Sequence, residues 1–151
     1  PALRTKLEAL PRSGQVAMVW NPQSEGSPNV KGNMPRAYYP GTSFVDYVAN
    51  DMYSIKGHAA WRQQEAFYRD FSTKPFMVAE WAPWGTDEPA FIKAMFNWTA
   101  SHARVAAVIY FNGTRRGLFT LSAKPKSMAA YRQMVNARRY DCPTGCGTMP
   151  S

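Results

Sequence analysis

Four short apolar runs punctuate the chain: "VAMVW" at 16–20, "VDYVAN" at 45–50, "FMVAE" at 76–80 and "VAAVIYFN" at 105–112. Their starts fall about thirty residues apart. Between or after them lie segments of helical patterning at 59–71, 88–102 and 123–137, preceded by another at 3–10. Within 88–102, Phe91, Met95 and Trp98 stand at i, i+4 and i+7, which makes one apolar helical face. Strand and helix alternating at this interval predict βα units on a parallel sheet, whose central strands read as nearly continuous apolar runs. No glycine-rich dinucleotide fingerprint follows any run, which argues against a doubly wound open sheet. A complete (β/α)8 barrel takes ~250 residues, so four units predict half of one. The expected fold class is therefore α/β, a half-barrel of parallel strands over 1–138, followed by a tail at 139–151.

Composition adds bounds to this picture. With 151 residues, 45% hydrophobic and 14% aromatic, the chain suits one domain with a real core. No apolar run approaches the ~18 residues of a membrane span, so no membrane partner is expected. The opening "PALRTKLEAL" lacks the apolar centre of a signal peptide. A start at Pro1 rather than Met predicts processing or excision from a longer protein. The net charge of +8 could steer an acidic partner, but the basic residues are scattered and no helix-turn-helix, zinc-finger or RNA-recognition signature accompanies them. No nucleic-acid partner is expected. Cys142 and Cys146 frame "CPTGC", turn chemistry suited to a small disulfide loop, which would imply an oxidising, extracellular location. They make a poor zinc site with His58 and His102 so remote in sequence, and no metal or other cofactor is expected.

In parallel α/β architectures the carboxyl ends of the strands meet at one face. Those ends carry Trp20 and Asn21, then Asn50, Asp51 and Tyr53, then Glu80, Trp81 and Trp84, then Tyr110, Phe111 and Asn112. Carboxylates, amides and aromatic rings are the groups that hold a sugar: pyranose faces stack on Trp or Tyr, and hydroxyls meet Asn and Asp. A carboxylate such as Glu80 in a partly dry cleft can attack an anomeric carbon, and Tyr53 on the neighbouring strand could orient it. The bland readings stand beside these: Glu80 as a structural carboxylate, Trp81 and Trp84 as core, Asp51 as a turn cap. Trp61 and Trp98 fall on helices as packing residues. His58 reads as a helix-opening residue, and His102 as a helix-closing one near the negative end of the dipole.

Taken together, "VAMVWNP", "YYPGTSFVDYVANDMY", "KPFMVAEWAPWG" and "VAAVIYFN" resemble the last four βα units of a family 26 glycoside hydrolase, the β-mannanase group of retaining barrel enzymes. The resemblance implies the C-terminal half of a (β/α)8 barrel acting on a β-linked polysaccharide or oligosaccharide outside the cell. By motif it puts the nucleophile at Glu80, the aromatic residue that contacts it at Tyr53, and a subsite-lining tryptophan at Trp20. Asn21, Asp51, Trp81, Trp84, Tyr110 and Asn112 complete the expected sugar-binding set. A retaining mechanism needs two carboxyl groups ~5 Å apart. The family takes its acid/base from a strand preceding this segment, so the resemblance implies that a missing N-terminal half or another chain supplies it. Two alternatives follow: a carbohydrate-binding half-barrel without catalysis, or a structural partner completed by a second half-barrel chain or by its own copy.

Overall fold

The computed structural model describes residues 5–6, 16–113 and 117–137. The apolar runs become β1 (Val19–Trp20), β2 (Tyr47–Ile55), β4 (Phe76–Trp84) and β5 (Val105–Tyr110), joined side by side as parallel neighbours in the order β1-β2-β4-β5. The fold is mixed α/β on a parallel sheet. Three α-helices follow: α1 (Trp61–Asp70) after β2, α2 (Pro89–Ser101) after β4 and α3 (Pro125–Val135) after β5. Proline at the first turn opens α2 and α3, where its missing N–H is no loss. Of the helix expected at 3–10 only residues 5–6 are described, and they are helical. The tail with Cys142 and Cys146 lies outside the described residues.

Three expectations need correcting. The two central strands run four to five residues past the apolar runs that announced them, so Asn50 and Glu80 lie within strands, not at their ends. His58 opens no helix: it sits in a two-residue strand, β3 (His58–Ala59), folded back on β2. Lys56 and Gly57 both have positive φ (52° and 82°), the requirement of the two-residue hairpin turn whose twist matches its strands. The crossover from β1 to β2 contains no α-helix, only 3-10 turns at Pro35–Tyr38 and Thr42–Phe44.

All three helices cover one face of the sheet. Val48 and Met52 of β2, and Phe76, Val78 and Trp81 of β4, are buried there with Phe67 of α1, Phe91, Ile92, Met95 and Phe96 of α2, and Ala130 of α3. The buried face of α2 is thus wider than Phe91, Met95 and Trp98 alone; Trp98 flanks it, its ring against Tyr68 and Phe76. The other face carries no helix among the described residues, and Val19 and Ile109 are 44% and 49% exposed on its two edge strands.

Two polar anchors hold the helix layer in register. Arg104, before β5, donates to the carbonyls of Tyr68, Phe71 and Lys74, closing the C-terminus of α1, and lies over the Tyr68 ring at 3.8 Å. Glu65 of α1 accepts from Trp98 Nε1 at 3.2 Å and from Arg69 at 2.7 Å, and its Oε2 lies 2.8 Å from His102 Nε2. Burial alone would push the Glu65 carboxyl up, but hydrogen bonds from Trp98, His102 and Arg69 outweigh it and hold it below the usual range. A depressed folded value stabilises above the unfolded carboxylate pKa and is lost as pH falls through the folded one. The expected result is a melting-temperature advantage of wild type over Glu65→Gln that is full at neutral pH and vanishes in acid; a pH-independent difference would remove this role.

Candidate active site

Strict alternation along 76–80 would put Glu80 on the side of Phe76 and Val78, beneath the helices. A bulge prevents this. Asn50 pairs with Val78 and the next residue, Asp51, pairs with Glu80, so Ala79 is an extra residue in β4. From there the parity of β4 is inverted: Trp81 faces the helices beside Met52, while Glu80, Ala82 and Trp84 share the open face with their partners Asp51, Tyr53 and Ile55. One inserted alanine therefore delivers the carboxylate to the open face and keeps the large indole in the core.

On that face the Tyr53 hydroxyl donates to Glu80 Oε2 at 2.5 Å. Asn21, just beyond β1, donates its amide to Asp51 Oδ1 at 3.1 Å. Burial pushes the Asp51 carboxyl above its ordinary value; the Asn21 hydrogen bond opposes this and the neighbouring Glu80 charge adds to it. Tyr53 is raised above the usual tyrosine range by burial first, then by its hydrogen bond to Glu80 and the charges of Glu80 and Asp51. It therefore stays a protonated donor across the neutral range. Among the described residues no cluster of His, Cys, Asp and Glu could hold a metal ion.

An aromatic wall stands around the pair. The Tyr53 ring meets Trp84 at 5.6 Å, Phe119 at 5.5 Å and Phe111 at 6.4 Å. Gly113 makes room for this: a Cβ there would sit 2.8 Å from the Phe111 ring. Phe119 comes from the loop after β5, where no periodicity singles it out. Ile55 escaped the strand reading because β2 is longer than its apolar run.

The remaining sugar-binding expectations resolve differently. Trp20 turns away from Glu80 and packs on Tyr39, Phe67 and Phe71. Trp81 is 1% exposed against Phe91, Phe96, Tyr110 and Tyr131, under the helices. Tyr110 lies in the same layer, donates to the Phe119 carbonyl at 3.2 Å, and is pushed up to about 12 by burial and by Tyr131. These three are core residues, placed by strand parity and not by proximity to a strand end. Asn112 accepts from the Leu121 backbone N–H at 2.8 Å and so shapes the loop that carries Phe119. Glu80, Tyr53, Asp51, Asn21 and Trp84 are brought together.

No protein-family model matches the chain, and no curated protein matches it.

Proposed function

We infer that the chain is the C-terminal half of a (β/α)8 barrel and part of a retaining, β-mannanase-like glycoside hydrolase acting on an extracellular β-linked polysaccharide. The observation that carries this reading is the Tyr53–Glu80 hydrogen bond on the helix-free face, beside the Asp51–Asn21 pair and beneath an aromatic wall. Tyr53 occupies Oε2 and so leaves Oε1 of Glu80 to attack the anomeric carbon. As the C1–O bond breaks, an acid protonates the departing oxygen and a glycosyl ester forms on Glu80; water then releases the sugar. Asp51 and Asn21 offer an acceptor and an amide to hydroxyls of the same ring.

Asp51 is the one described acid that shares Glu80's face. Glu25 binds Asn29 in the long loop, Glu65 and Asp70 lie on α1, Asp46 accepts from Met18 N, Asp87 from the first N–H groups of α3, and Glu88 from Ser54 and Thr86. As a register partner on the adjacent strand, Asp51 stands beside Glu80 and not across a sugar from it. The acid/base thus comes from a second half-barrel, whether another segment, another chain or a second copy, which would also cover Val19 and Ile109.

An activated 2-deoxy-2-fluoro mannosyl fluoride tests the reading without that partner, because fluoride departs without needing a proton. Glu80 Oε1 forms a bond to C1 as the C–F bond breaks. A mass increase on the peptide containing Glu80 is expected, absent in Glu80→Gln; an unlabelled Glu80 sinks the nucleophile. Labelling failure with retained glycan binding would instead favour a non-catalytic carbohydrate-binding protein, a reading supported by the lack of an opposing carboxyl among the described residues.

Tyr53→Phe removes one charge-assisted hydrogen bond, worth about 1.5–3 kcal/mol. Turnover is expected to fall by roughly tenfold to a hundredfold with KM little changed. Equal loss in kcat and gain in KM would assign Tyr53 to substrate binding instead.

A further inference from the structure

Above Glu80 the open face turns apolar, and its outermost members are uncovered. Trp84 follows Glu80 by four residues on the same face of β4, with only the small Ala82 between, and its partner across the strands is Ile55. Trp84 is 42% exposed and Ile55 52%. The indole is nonetheless held: edge-to-face contacts with Tyr53 (5.6 Å, 72°) and Phe119 (4.9 Å, 75°) set its tilt, and the next residue, Gly85, donates its N–H to the Leu118 carbonyl at 2.9 Å. A fixed aromatic ring beside an exposed aliphatic side chain, directly continuous with a carboxylate row, is a surface organised before its ligand arrives.

Four strand residues at about 3.3 Å each put the Cα atoms of Glu80 and Trp84 about 13 Å apart, farther than one pyranose ring extends. Resting on the glycosidase reading of Glu80, we propose that Trp84 and Ile55 form a separate sugar-stacking subsite. It takes a ring other than the one attacked, so the chain selects β-linked oligosaccharides long enough to reach it. The subsite presents apolar surface and reads the ring face; the polar row below it reads hydroxyls.

The test is calorimetric titration of the full chain carrying Glu80→Gln with β-1,4-linked disaccharides and pentasaccharides of mannose and of glucose. A pentasaccharide should bind more tightly than the matching disaccharide. Adding Trp84→Ala should weaken the pentasaccharide about tenfold and leave the disaccharide unchanged, with Trp84→Phe intermediate. Ile55→Ser, at an exposed position, should weaken the pentasaccharide too and guards against a folding defect at Trp84. Pentasaccharide binding indifferent to both sites overturns the subsite while leaving the glycosidase reading intact. Equal weakening of both sugars by Trp84→Ala shows Trp84 acting through Tyr53 and also overturns it. If no sugar binds the Glu80→Gln chain or wild type, subsite and glycosidase reading fall together.

Discussion

Glu80→Gln is expected to lower turnover of β-mannan by the assembled enzyme at least about a thousandfold while leaving glycan affinity within a fewfold of wild type. The amide keeps the size of the carboxylate and can still meet the Tyr53 hydroxyl through its carbonyl oxygen, so the site should hold its shape. What it lacks is the negative charge that attacks C1 and a second oxygen able to form the ester. Because the loss falls on a bond made in the transition state, kcat should collapse and KM should not rise in parallel. Turnover retained within tenfold would remove Glu80 from the chemistry. Turnover and affinity lost together would make it a binding or structural residue.

Trp81→Ala is expected to cost about 3–5 kcal/mol of folding stability, measured as a shift in denaturant midpoint at unchanged slope. The indole is wholly enclosed, in contact with rings from α2, β5 and α3, so truncation leaves a cavity at the point where these elements meet. Trp84→Ala provides the contrast. It forfeits edge contacts with Tyr53 and Phe119 but little burial, and should cost under about 1.5 kcal/mol. Two tryptophans three residues apart in one strand would thus differ by severalfold in stability and in the opposite sense for sugar binding. Equal destabilisation would contradict the inverted parity that places them on opposite faces of β4.

The strand and helix pattern was legible because it depends on local apolar periodicity. The runs beginning at 45, 76 and 105 lie in or at the start of the strands that formed, and the helices sit within two residues of their expected bounds. The polar and aromatic character of the candidate site was legible as well: Tyr53, Asp51 and Glu80 do meet. Trp20, Trp81 and Tyr110 were misplaced because nearness to a strand end does not say which way a side chain points. Phe119 carried no signal, since its position follows from a loop whose path is held by Asn112 and Gly113.

The amino-acid order by itself determined the elements and their sequence, because hydrophobic spacing acts over one or two turns of chain. It left the facing of each side chain open wherever strict alternation breaks. Only the tertiary structure decided that Ala79 is the extra residue of a bulge. The reason is competition between neighbours on one strand: enclosing the Trp81 indole among four aromatic rings gains far more than enclosing Glu80, whose charge would be desolvated beneath the helices. The strand slips by one residue to satisfy both, and in doing so presents the carboxylate to Tyr53.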